Sequence, residues 1–141
     1  MQVSSRERGF TLVEVITVVA MLAILAAIAL PNYAAYMQRS RVPAGLNALQ
    51  GLSARLEQRY QDNARYDDAG GTCGTLPTAT DFTVTCVITS SGQGFTATAS
   101  GTGRLNGYRY TIDHNGTRAT VLHPYGVNAT CWTIRGSQCD A

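Results

Sequence analysis

Residues 6–15 read "RERGFTLVEV", and the run from Phe10 to Leu30 continues as "FTLVEVITVVAMLAILAAIAL". Glu14 is the only charged residue among these twenty-one. As a helix the run spans about 30 Å, the thickness of a bilayer's hydrocarbon core. A carboxylate in that setting costs about 2.5–3.5 kcal/mol even on mild insertion scales. The sequence therefore calls for a partner that offsets Glu14, beyond the favourable field at a helix N-terminus. A secretory signal peptide would have a shorter apolar core, about 7–15 residues, ending at a small-residue cleavage site. This run is longer, and a helical pattern continues past it.

The 141 residues carry a net charge of +2, and all eleven basic residues are Arg. That balance argues for no strong overall field. Four cysteines, Cys73, Cys86, Cys131 and Cys139, occur without a CxxC pair. With His114 and His123 remote from them in sequence, the spacing does not fit a zinc site. An even count favours disulfides and an oxidising compartment. Three pairings are open. The local ones, Cys73–Cys86 and Cys131–Cys139, each close a short loop and are preferred.

Beyond the apolar run, Leu46, Leu49, Leu52, Leu56 and Tyr60 recur at helical spacing and form one apolar stripe. A helical spine from Phe10 to Asp62 is expected, with bends at Pro31 and Pro43 and local softness at Gly45 and Gly51. After Asn63 the composition turns polar and Gly-rich, as in a loop. Four alternating runs follow: 82–89, 94–100, 107–114 and 117–122. They read as strands of an antiparallel meander. Asn115-Gly116 signals a hairpin. Phe82, Val84, Phe95, Tyr108, Tyr110 and Ile112 are the core candidates. The fold class is α+β: a long N-terminal helix, its first half transmembrane, on a four-stranded antiparallel sheet with a disulfide-stapled C-terminal loop. In that loop Trp132 either packs beside the bridge or meets a neighbour.

"RGFTLVEV", the apolar run, Pro31 and "NYAAYMQRSR" together resemble the N-terminus of type IV pilins and pilin-like proteins. "LEQRYQDNARY", "YRYTIDHNGTRAT" and "CWTIRGSQC" resemble minor pilins of a type IVa-like system more loosely. The resemblance implies a cytoplasmic leader, residues 1–9, removed after Gly9 by a prepilin peptidase. It implies a new N-terminus at Phe10, which is N-methylated, and an acidic fifth mature residue, Glu14, that sets subunit register. The amine freed at Phe10 of a neighbouring subunit would meet Glu14 and offset its burial. Residues 10–36 would form the transmembrane and filament-core helix. Residues 37–62 would form the amphipathic half and 63–141 the globular β domain. Partners would be other pilin subunits, the prepilin peptidase and the inner-membrane assembly platform. The C-terminal domain would face the periplasm before assembly and the exterior afterwards.

No catalytic constellation stands out, and no cofactor or metal is expected. His114 and His123 read as surface residues. Asp67-Asp68 reads as a solvated loop more readily than a cation site, and the sequons at Asn115 and Asn128 match by chance as easily as by purpose. Three functions remain: a structural pilus subunit (minor pilin, with major pilin or type II secretion pseudopilin as alternatives), a DNA-binding minor pilin, and a membrane-anchored enzyme. Arg104, Arg109, Arg118 and Arg135 could form a DNA-binding patch with Tyr108 and Tyr110. Strand alternation, however, sets Arg109 on the face opposite both tyrosines. The reading is a minor pilin, not an enzyme.

Overall fold

The computed structural model describes residues 9–136 and 138–140. Residues 1–8, most of the stretch 1–9 read as a leader from the sequence, lie outside them. Contacts divide the chain between Tyr36 and Met37 into two units.

Helix α1 runs over Leu12–Arg39. Thr11 caps it: its Oγ1 accepts the Glu14 N–H at 3.3 Å, and its carbonyl accepts the Val15 N–H at 3.2 Å. No residue of α1 is buried. Pro31 sits inside the helix, and helical backbone continues through it. Its missing N–H leaves the Ala27 carbonyl without its usual donor. One position on, Asn32 Nδ2 donates to the Ile28 carbonyl at 3.2 Å. The interruption falls later, at Ser40 and Arg41. Helix α2 then covers Val42–Asn63, with Pro43 in its first turn. There a proline forfeits no helical bond, so Pro43 starts a helix where a bend in a continuous one was expected.

Four members of the stripe read from the sequence, Leu46, Leu49, Leu52 and Leu56, form the buried face of α2; Val42 extends it, while Tyr60, also read into the stripe, is only half-buried. Each buried side chain contributes about 1.5–3 kcal/mol by leaving water. Gly45 lies on the same face. A Cβ there would meet the Phe82 ring at 2.7 Å, so this glycine permits close approach of helix and sheet rather than softening the helix. Ala64 ends α2 in a left-handed conformation (φ 54°) and donates its N–H to the Tyr60 carbonyl at 2.7 Å.

The sheet is an antiparallel meander, β1 (Phe82–Thr89), β2 (Gly94–Gly101), β3 (Arg109–Asp113) and β4 (Arg118–Leu122), in sequential order. Its inner face carries Phe82, Val84, Phe95, Ala97, Ala99, Tyr110 and Ile112, all buried. Tyr108 is buried beside them but precedes β3, which is shorter than the run 107–114. The β3–β4 hairpin is not a two-residue Asn-Gly turn. Asp113 Oδ1 accepts the N–H groups of Asn115 and Thr117, both at 2.9 Å, and Gly116 takes the left-handed position at φ 74°.

α2 packs on β1, β2 and β3. The tail closes the core over β4. Trp132 is 0% exposed and donates Nε1–H to the Thr111 carbonyl at 2.8 Å. Thr120 and Thr133 are buried polar residues, and their needs are met. Thr120 Oγ1 donates to the Cys131 carbonyl and accepts the Thr133 N–H, both at 2.9 Å, while Tyr110 OH donates to the Thr133 carbonyl at 2.9 Å. Trp132 is thus a core residue and cannot meet a neighbour. Disulfides Cys73–Cys86 and Cys131–Cys139 are both present.

His123 is also buried, at 6% exposure, where a surface position was expected. Tyr108 meets it edge-on at 4.9 Å and Tyr125 lies at 5.6 Å. Its Nδ1 accepts the Tyr125 N–H at 3.2 Å. That arrangement suits a neutral ring protonated at Nε2. Burial holds its pKa below the ordinary value; the Ile134 backbone and Asp140 oppose this, and Arg39 adds to it. The folded chain therefore binds this proton less readily than the unfolded one. Stability is complete above the unfolded value of about 6.5 and is lost as pH falls below it. Thermal midpoints should drop on acidification from about pH 7 to 5, and His123→Gln should flatten that slope. The carboxylates of Asp67, Asp68 and Asp140 are held below their ordinary range, so their loss comes at lower pH and does not mimic it.

Candidate functional site

Two features stand apart from the folded core: the start of α1 and the arginines of the globular unit. Phe10 is 82% exposed, and Phe10, Glu14, Val15, Val18 and Val19 line a shallow apolar groove along α1. The Glu14 carboxylate makes no ion pair among the described residues. α1 is the one helical stretch among them apolar and long enough to cross a membrane. Gly9 is exposed and has no contact that would resist access.

The structure does not assemble the patch of Arg104, Arg109, Arg118 and Arg135. Arg109 and Arg118 each begin a strand of one antiparallel pair, so they stand at opposite ends of it. With Leu122 opposite Arg109, Arg118 is about 13 Å away along β4. Arg118 faces inward, opposite Ile112, and its guanidinium stacks 4.9 Å from the Trp132 ring centre. Arg135 sits 3.6 Å from Asp140. Tyr108 and Tyr110 are buried and offer no ring to a nucleic-acid base. Burial and the nearby Tyr125 raise the Tyr108 pKa, so it stays a neutral phenol.

Among the described residues, carboxylates pair with Arg41 (Asp81, 2.7 Å), Arg65 (Asp67, 2.6 Å) and Arg135. Arg39, Arg55, Arg59, Arg104, Arg109 and Arg118 have no acidic partner within ion-pair distance. Arg59 was not singled out by sequence. It donates to the carbonyls of Tyr66 (3.0 Å) and Cys73 (3.2 Å), tying the Gly-rich loop to α2. No period or motif marks it, because both acceptors are backbone atoms. Arg55 and Arg59 line one cleft with Leu52, Leu56, Cys73 and Thr75.

The Asp67-Asp68 pair is already engaged. Arg65 grips both oxygens of Asp67. Asp68 accepts the N–H groups of Gly70 and Thr72 and the Thr72 hydroxyl. No cluster of three metal-ligating side chains occurs among the described residues.

A helix that buries none of its apolar surface has two places to rest, lipid or a bundle of like helices. It is joined here to a disulfide-stapled helix-on-meander unit. A family model described as "Type IV minor pilin ComP, DNA uptake sequence receptor" matches residues 31–138, and one described as "Prokaryotic N-terminal methylation motif" matches residues 4–30. The chain belongs to the first of these families and is a type IV pilin, a non-enzymatic class.

Relatives agree. The type IV major fimbrial protein FimA of Dichelobacter nodosus is 43% identical over 60 residues, which are 43% of this chain and 37% of FimA. FimA of strain VCS1703A is 40% identical over 73 residues, 50% of this chain and 45% of that protein. The match thus spans less than half the length of these relatives. A type IV pilin from Shewanella oneidensis superposes with a TM-score of 0.52 at 21% identity, over 68% of this chain and 98% of that one. The non-core minor pilin PilV of Neisseria meningitidis gives 0.54 at 19% identity, over 65% and 94%. At these identities the two structures speak for the fold alone.

Proposed function

We propose that this chain is a minor subunit of a type IV pilus that holds DNA at the filament surface. The observation that carries the reading is the family match over residues 31–138, whose description is that of a DNA uptake sequence receptor. Arg55, Arg104 and Arg109, exposed and without an acidic partner among the described residues, support it as cations available to phosphates. Arg104 and Arg109 lie at one end of the sheet and Arg55 lies on α2, so contacts to the phosphate backbone would come from more than one element.

In this reading a prepilin peptidase cuts after Gly9 and methylates the amine of Phe10. The globular unit waits in the periplasm while α1 is held in the inner membrane. An assembly platform then draws α1 into a bundle of its neighbours, with each Glu14 facing the freed amine of an adjacent subunit. The methylation-motif match over residues 4–30 supports the processing step.

The test is a binding titration of the detergent-solubilised full chain against duplex DNA containing and lacking an uptake sequence. Affinity should fall steeply with salt, and Arg→Glu changes at contacting positions should each reduce the salt slope by about 0.9. At least two of Arg55, Arg104 and Arg109 should behave in this way. Absence of salt-dependent binding would remove the DNA role and leave a structural pilin, the reading that similarity to the fimbrial protein FimA favours. Abundance in sheared filaments separates a minor from a major subunit.

A further inference from the structure

Four exposed apolar side chains crowd into seven residues: Val121 (46% exposed), Leu122 (44%), Tyr125 (54%) and Val127 (64%). They follow the exit of β4. Leu122 pairs with Arg109 at the start of β3, and the Thr120–Asn128 bridge brings Val127 back beside Val121. The loop is held by its own bonds. Gly126 N–H donates to the His123 carbonyl, and Tyr125 N–H to His123 Nδ1, both at 3.2 Å. An apolar surface fixed in this way is a candidate contact surface.

Its surroundings are cationic. The Arg39 guanidinium lies 5.3 Å from the centre of the Tyr125 ring. Arg109 adjoins Leu122, and Arg104 lies in the short turn Gly103–Leu105 that precedes β3. Arg41 is at the same end, because its partner Asp81 precedes Phe82, which pairs with Gly101 at the end of β2. The carboxylates nearby, Asp81 and Asp140, are taken by Arg41 and Arg135. Among the described residues, Arg39, Arg104 and Arg109 have no carboxylate partner beside the apolar side chains.

We propose that this surface rests on the phosphate headgroups of the outer leaflet of the membrane that holds α1, before the subunit is assembled. The inference goes beyond DNA binding and rests on α1 spanning the bilayer. Continuity of the chain identifies the occupant. Arg39 is the last residue of α1. If Glu14 marks one interface, the residues from Val15 to Tyr36 cross about 33 Å. That places Tyr33 and Tyr36 at the far interface, where tyrosine is favoured, and Arg39 at headgroup level. Apolar side chains entering the headgroup boundary with arginines beside them are the usual chemistry of interfacial attachment.

The full chain is reconstituted in vesicles of phosphatidylcholine and phosphatidylglycerol, with nitroxide-labelled lipid as quencher. The native Trp132 is fully buried. Three tryptophan variants are compared: Val127→Trp in the patch, Val87→Trp on the exposed face of β1, and Ile24→Trp within α1. A headgroup-level label should quench Val127→Trp several-fold more than Val87→Trp, and a deep label should quench Ile24→Trp. Adding Arg104→Glu and Arg109→Glu should weaken the Val127→Trp quenching in the anionic vesicles. Equal, weak quenching of Val127→Trp and Val87→Trp with Ile24→Trp fully quenched would overturn the proposal. So would shielding of Val127→Trp that follows protein density or duplex DNA and not the label, which would assign the surface to a second copy or to nucleic acid. An unquenched Ile24→Trp would remove membrane anchoring itself and this inference with it, while the DNA titration would stand unaffected.

Discussion

Trp132→Ala should lower the unfolding free energy of the globular unit by about 3–5 kcal/mol, the range for deleting a large buried aromatic. The residue is fully enclosed. Its removal leaves the side of the core over β4 without a filler, since α2 packs on β1, β2 and β3. The Thr111 carbonyl loses its Nε1–H donor, and Arg118 loses the ring it stacks on. The latter is worth about 0.5–1 kcal/mol. A single domain holds about 5–15 kcal/mol in total, so the variant should sit near the limit of folding. Urea unfolding followed by tyrosine fluorescence checks this. Trp132→Phe should restore most of the loss, because it returns ring volume without the donor. A cost below about 1 kcal/mol for the alanine variant would mean that the tail does not close the core.

Glu14→Ala should leave insertion and processing intact and reduce incorporation into filaments by about two- to twelvefold, which corresponds to about 0.5–1.5 kcal/mol. The estimate follows from charge. Opposite unit charges about 4 Å apart gain roughly 4 kcal/mol at an effective dielectric near 20, against an insertion cost of about 2.5–3.5 kcal/mol for the acid. The helix cap does not confuse the result. Thr11 Oγ1 takes the backbone N–H of Glu14, not its carboxylate, so the alanine variant keeps that bond. Glu14→Gln should fail nearly as badly, because it keeps size and loses charge. Wild-type levels of either variant in purified filaments would assign Glu14 to the helix-terminal field of its own chain and to nothing between subunits.

The fold was legible wherever burial imposes a period. The α2 stripe and the alternation over 82–89 follow from one buried face each, and both survive in the structure with little change. Legibility failed where one residue does the work alone. Trp132 belongs to no pattern, so its core position could not be told from a contact role. His123 stands before Pro124, which suggested a surface turn, yet Tyr108 and Tyr125 enclose it from distant and adjacent chain. Arg41 and Asp81 are forty residues apart, and no local signal joins them. The hairpin at Asn115-Gly116 was visible, but Asp113 governs its form through side-chain bonds that Asn-Gly chemistry does not announce. For the candidate site, the family resemblance marked Gly9, Phe10 and Glu14 from the first residues onward. The interfacial surface at 121–127 escaped notice, because its residues continue a strand pattern and then turn through Pro124 and Gly126.

With the side chains from Leu12 to Ala34 exposed along α1, that stretch of the subunit never needs to pass through water on its way from bilayer to filament. Hydrocarbon tails and neighbouring helices are solvents of nearly equal quality for such a rod. Transfer between them is close to neutral in hydrophobic terms, and the balance falls to packing and to one buried charge. A polymer assembled on so shallow a gradient can release its subunits to the lipid as readily as it takes them up.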